Sequence, residues 1–137
     1  GKSPEYIDAH AIQNQTFFKA IQDIAAKYHL LYIPMLSSTK DFLTINDKHF
    51  CFWMESMEEN YDPHKTFEKI CSMKRNVCEV MILHPGYIDD DLFAKSSLIL
   101  PRVKEVQFVM NSEIDQLAKR HSVDFINFRK LENGGTI

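Results

Sequence analysis

Two segments of this 137-residue chain end an apolar run on a histidine: Tyr6-Ile7-Asp8-Ala9-His10 and Met81-Ile82-Leu83-His84-Pro85-Gly86-Tyr87. If each run is a strand of a parallel α/β sheet, the residues at its carboxyl end face the crevice where such folds bind ligands. Asp8 and His10 are two residues apart, so on an extended backbone they lie on one face. A carboxylate beside an imidazole either ligates a divalent metal with it or orients the ring from behind. Pro85 stiffens the chain after His84, and Gly86 is expected to permit a close approach. Plainer readings stand beside these. On the residues alone His10 reads in preference as an exposed loop residue after a short edge strand, whereas His84 reads equally as a turn histidine bonded to the backbone. The run Asp89-Asp90-Asp91 reads as a solvated loop in which one aspartate caps the next turn, in preference to a further ligand set. Arg102 follows Pro101 at a helix start, where a cation opposes the helix dipole. Its charge is therefore expected to act elsewhere, against a carboxylate or a sugar oxygen.

Other chemistries lack their residues. There is no Gly-rich phosphate loop and no Gly-x-Ser-x-Gly elbow. Three cysteines, Cys51, Cys71 and Cys78, form no Cys-x-x-Cys pair, which fits neither a disulfide framework nor a zinc knuckle. They read as partly buried thiols in a reducing compartment, so a cytoplasmic location is expected. A net charge of -3 supplies no field for phosphate backbones, which argues against nucleic-acid binding. No apolar run reaches the length of a membrane span, and no export segment is visible. His29, His49, His64 and His121 have no partner pattern and carry no assigned role.

The elements that must position these residues follow from periodicity. Tyr6 to Ala9, Leu30 to Ile33, Phe50 to Met54, Val77 to Leu83 and Val123 to Phe128 read as strands. Phe17, Ile21, Ile24 and Tyr28, with Ala25, recur at helical spacing. Asp62-Pro63 has the form of an N-cap with proline at the first helical position, ahead of a stripe of Phe67, Ile70 and Cys71. A further helix near Pro101 is expected to bury Val103, Val106 and Met110. Ser112 and Asp115 resemble a capping box for a last helix carrying Ile114 and Leu117. Residues 37–47 are polar and turn-rich, and read as loop or irregular helix. Phe50, Phe52 and Trp53 read as core aromatics in preference to a sugar-stacking platform. Strands alternating with helices predict an α/β fold with mostly parallel strands, within a single domain over residues 1–137. The chain starts at Gly1 and enters a strand-like segment at once, which reads as a cut boundary.

The block His84-Pro85-Gly86-Tyr87-Ile88-Asp89-Asp90-Asp91-Leu92, then Ser96-Ser97, Pro101-Arg102, Glu105 and finally Ile126-Asn127-Phe128, resembles the C-terminal signature of the YdjC/ChbG family of carbohydrate deacetylase-like proteins. The resemblance implies the C-terminal part of a distorted (β/α) barrel, with the N-terminal portion absent. It implies a metal-dependent hydrolase that removes acetyl groups from N-acetylated amino sugars or oligosaccharides. Asp8-Ala9-His10 matches the start of a family motif similar to Asp-Ser-His-x-His-x-His, so His10 inherits a metal-ligand role toward Mg²⁺ or Zn²⁺. Ile12 and Asn14 stand where the later histidines of that motif would be. By the same carry-over His84 is the candidate catalytic residue, and Asp8, Tyr87 and Arg102 are candidate substrate contacts.

The family's N-terminal aspartate pair has no counterpart here, so the metal site is expected to be incomplete and the chain inactive by itself. The alternative is a non-catalytic descendant that binds sugar or assembles as a homo-oligomer, and the missing motif histidines favour it. A part-barrel would also expose strand edges and helix faces, which predicts self-association.

Overall fold

In the computed structural model, which describes residues 4–9, 12, 14–34, 42–45 and 47–127, strands and helices alternate along the chain. Contacts gather into two compact units, Gly1–Ser37 with Ile126–Ile137, and Ser38–Phe125. The first is built on a parallel pair, β1 (Tyr6–Asp8) and β2 (Leu31–Ile33), with Tyr6 opposite Leu31 and Asp8 opposite Ile33. Between them runs α1 (Gln15–Tyr28), as a parallel pair requires of its crossover. Asn14 caps α1, its side-chain oxygen accepting from the Thr16 and Phe17 amides at 2.9 and 3.2 Å. His29 closes the helix in the left-handed conformation at φ 54°, its amide donating to the carbonyls of Ala25 and Ala26. The expected apolar stripe is narrower than its spacing suggested. Ile21 and Ala25 are buried, whereas Ile24 and Tyr28 are exposed.

The second unit carries β3 (Phe42–Ile45), β4 (Lys48–Trp53) and β5 (Cys78–Met81) in that spatial order. Here residues 42–45 correct the sequence reading of a loop, because they pair antiparallel with β4, Phe42 opposite Cys51 and Ile45 opposite Lys48. Two residues join these strands, and Asp47 takes φ 63°, the left-handed geometry that tight hairpins demand. The polar Thr44 and the short connection hid a strand of four residues. Across the pair Thr44 Oγ1 meets His49 Nδ1 at 3.0 Å, which gives that histidine a structural partner.

β4 lies between β3 and β5, and Phe50, Cys51, Phe52 and Trp53 are all buried, as expected of a strand covered on both faces. β4 and β5 are parallel, joined through α2 (Pro63–Ser72), whose Asp62 cap accepts from the His64 and Lys65 amides. Three helices follow: α3 (Asp90–Lys95), α4 (Leu100–Val109) and α5 (Glu113–Arg120). Asp89 is the aspartate that caps α3, accepting from the Leu92 amide at 2.8 Å. The capping box at Ser112 does not form. Asn111 Oδ1 accepts from the Glu113 amide instead, at 2.9 Å, and Ser112 makes no side-chain cap bond.

Phe67 and Cys71 of α2, Phe108 of α4 and Ala118 of α5 form one core cluster, against which Met81, Leu83, Ile114, Leu117 and Val123 pack. The buried face of α4 is not the expected one. Glu105 and Phe108 are buried, while Met110 is 75% exposed. Residues 123–127 form no strand, contrary to the sequence reading, and Phe128 lies outside the described residues. The architecture is thus mixed α/β with parallel strands in two small open sheets. Among the described residues no helix is long and apolar enough to cross a membrane.

Candidate functional site

β4 and β5 run parallel, so both carboxyl ends open on the same edge of their sheet. The Ile82 amide still donates to the Trp53 carbonyl at 2.8 Å, extending the ladder one residue past β5. Beyond it the chain at Leu83 and His84 leaves the sheet, and its backbone groups need new partners. They find them on α4. The His84 amide donates to Glu105 Oε2 at 2.6 Å, and Arg102 Nη1 donates to the His84 carbonyl at 3.1 Å. From the end of β4 comes Ser56, 1% exposed, whose Oγ lies 3.3 Å from His84 Nδ1. The imidazole is half-buried.

Glu105 is fully buried, at 0% exposure. Burying a carboxylate is costly unless its oxygens are hydrogen-bonded, and here both are. Tyr61 Oη donates to Oε1 at 3.0 Å, and the His84 amide takes Oε2. Burial pushes the Tyr61 phenol well above its ordinary range, and the hydrogen bond to Glu105 and the charge of that carboxylate add to the effect. The segment carrying Ser56 and Tyr61 is itself tied down. Glu55 accepts from Thr66 Oγ1 at 2.6 Å and from Lys69 Nζ at 3.4 Å, and Lys104 Nζ donates to the Tyr61 carbonyl at 2.6 Å.

Of the residues singled out in the sequence, His84 and Arg102 come together. Arg102 directs Nε to the Leu98 carbonyl at 3.0 Å and Nη1 to His84, so its two bonds reach main-chain carbonyls and not a carboxylate. Ser96 orders the Leu98 peptide in turn, accepting from its amide and donating to its carbonyl. Tyr87 is 81% exposed on the stretch between β5 and α3. Gly86 proves less constrained than expected: an added Cβ would sit 3.6 Å from the Arg102 side chain, an ordinary contact. Asp8 is exposed at the end of β1, and His10 lies outside the described residues. Among the described residues no group of three His, Cys, Asp or Glu side chains could hold a metal ion. The described side chains therefore do not by themselves fit the divalent site that the sequence resemblance implies.

Glu105 entered the sequence reading only as part of the family block, and Ser56 and Tyr61 escaped it. The spacing Arg102-x-x-Glu105, one face of a helix, was the available signal for the first. Nothing local marks Ser56 or Tyr61, which meet His84 and Glu105 from 28 and 44 residues away. Histidines without an assigned role have structural uses: His64 packs edge-on against Phe108 at 5.1 Å, and His121 caps α5.

No family model matches the sequence. A carbohydrate deacetylase of Clostridium beijerinckii is 35% identical over 60 residues, which is 44% of this chain and 24% of that protein. A carbohydrate deacetylase of Listeria monocytogenes serotype 4a is 41% identical over 56 residues, 41% of this chain and 22% of that protein. Over this stretch the chain is similar to these carbohydrate deacetylases, which supports the resemblance to the YdjC-like family. Its matched stretch spans about a quarter of the length of these relatives. The fold is similar to that of a solved Enterococcus faecalis protein, provisionally described as a cellobiose-phosphate cleavage protein. That structure superposes with a TM-score of 0.61 at 18% identity, over 95% of this chain and 54% of that one. At such identity the likeness speaks for the fold alone.

Proposed function

We propose that these residues belong to a hydrolase that removes the acetyl group from an N-acetylated amino sugar or oligosaccharide. The observation that carries this reading is the 35–41% identity to proteins named carbohydrate deacetylases. The arrangement at the β4–β5 rim supports it. Amide hydrolysis must deliver a proton to the leaving amine, and imidazole is suited to that near neutral pH. His84 takes this part, with Tyr87 exposed beside it as a surface for the sugar. His10, two positions after Asp8 in the sequence, is assigned to a divalent metal, Mg²⁺ or Zn²⁺, which would polarise the acetyl carbonyl. The remaining ligands are expected from outside the residues described. On the sequence resemblance the protein is assigned to the C-terminal part of a distorted barrel, acting in the cytoplasm.

A second reading has one observation in its favour. Asn14, at a position where the family motif carries histidine, is engaged in capping α1. That fits a descendant that binds sugar without cleaving it.

Acetate release from N-acetylated chito-oligosaccharides by the full-length protein, with Mg²⁺ or Zn²⁺ added, decides between them. The deacetylase reading expects turnover that falls about 10²–10⁴-fold in His84→Ala and is abolished, together with metal binding, in His10→Ala. Metal-independent sugar binding with no acetate release would establish the second reading instead. The 137-residue chain alone is expected to release no acetate, and turnover by it would overturn the assignment of metal ligands beyond these residues.

A further inference from the structure

We propose that Arg102 and Glu105 form a clamp on the two main-chain polar groups of His84, and that with Ser56 they are the positioning residues of its imidazole. The inference deepens the deacetylase reading and rests on it for the use of His84, although the clamp itself is tested without turnover.

Past the end of β5, which closes at Met81, His84 lies outside the strands of the described sheet. Its amide and carbonyl are satisfied by two side chains of one helix, three residues apart and so on one face of α4. Both bonds are charge-assisted, the class that is shorter and roughly twice as strong as a neutral pair. The amide bond, at 2.6 Å, is the shorter of the two. Glu105 cannot swing away, because Tyr61 holds its other oxygen at 3.0 Å and the side chain is fully buried. Arg102 is braced in the same manner by the Leu98 carbonyl at 3.0 Å. Gripping a residue at both its N–H and its C=O fixes the Cα–Cβ direction. The Ser56 contact at Nδ1, 3.3 Å, then restrains rotation of the ring and its tautomer. Two other parts of the chain thus converge on this histidine: the segment after β4, and α4.

A purely packing role for a fully buried position would be met at lower cost by an apolar side chain. A carboxyl group there, accepting from a backbone amide, sets a place in space. Such placement matters where a proton must be transferred, since misplacement of the group by about an ångström is enough to slow an enzyme severely.

The test uses the 137-residue chain labelled with ¹⁵N-histidine, His84 resonances being assigned by their loss in His84→Gln. Exchange of the His84 amide and the ring nitrogen shifts are compared between the parent chain, Glu105→Gln and Arg102→Met. In Glu105→Gln the amide should exchange about tenfold to hundredfold faster, the worth of one charge-assisted bond. Its ring should pass from one dominant tautomer to a mixture, while the other histidines keep their shifts. A folded Glu105→Gln chain with unchanged His84 exchange and ring shifts overturns the clamp, and so does an equal change at every histidine, the mark of general loosening. Should Glu105→Gln fail to fold, Arg102→Met decides. Altered His84 ring shifts in that variant support the proposal, and unaltered ones end it. The deacetylase reading fails separately, if His84→Ala leaves acetate release by the full-length protein intact.

Discussion

Tyr61 places its phenol against a carboxylate that has no access to solvent. Burial disfavours the phenolate, and the Glu105 charge disfavours it further, so the native state holds this proton more tightly than the unfolded chain does. A group whose native pKa is raised gives stability that is complete below the unfolded pKa and is lost as pH rises toward the native one. Above about pH 10, the ordinary phenol value, the unfolded chain releases the proton that native Tyr61 retains. Stability should therefore decline with pH on the alkaline side, and Tyr61→Phe should flatten that decline. Urea midpoints between pH 8 and 11 measure this, and parallel declines in the two proteins would contradict it. Glu105 itself was visible in the sequence only as part of a motif. A glutamate in a helix ordinarily reads as a solvated residue, and its burial depends on donors supplied by distant segments.

Among the elements, the helix ends were largely legible. Asp62-Pro63 announces the start of α2, and Asp89 that of α3, because short polar side chains satisfy amides that a helix leaves open. The start of α5 separates two neighbouring candidates. Asn111→Ala is expected to destabilise the chain by about 1 kcal/mol, and Ser112→Ala by less than about 0.5 kcal/mol. Chemical denaturation of the two variants checks this, and the reverse order would return the cap to Ser112. The β3–β4 hairpin was not legible, since its first strand alternates weakly and pairs through backbone groups that every residue carries. On α4 the apolar period pointed to Val103, Val106 and Met110. The face that packs carries Glu105 and Phe108, because partners for a buried carboxylate outweigh the apolar count there.

At the scale of the molecule, β5 is an edge strand of its sheet among the described residues, and Phe93, Leu100 and Met57 stand 67%, 62% and 68% exposed. Open edges and large exposed apolar side chains favour association. The chain is expected to sediment as a concentration-dependent mixture of monomer and larger species at neutral pH. A single monomeric boundary at high concentration would contradict that expectation.

Alternating apolar runs and polar caps determined the α/β class, most of the helices and the two parallel strand pairs, because these depend on interactions within about a turn or a strand length. The block from His84 to Glu105 determined the family resemblance, with His84 and Arg102 as residues of interest. Tertiary structure alone decided that Arg102 serves the backbone of His84, that Glu105 is buried to do the same, and that Ser56 and Tyr61 complete the arrangement. Each of those contacts joins residues 18 to 44 positions apart, and no local pattern encodes which distant donor will satisfy a given buried acceptor.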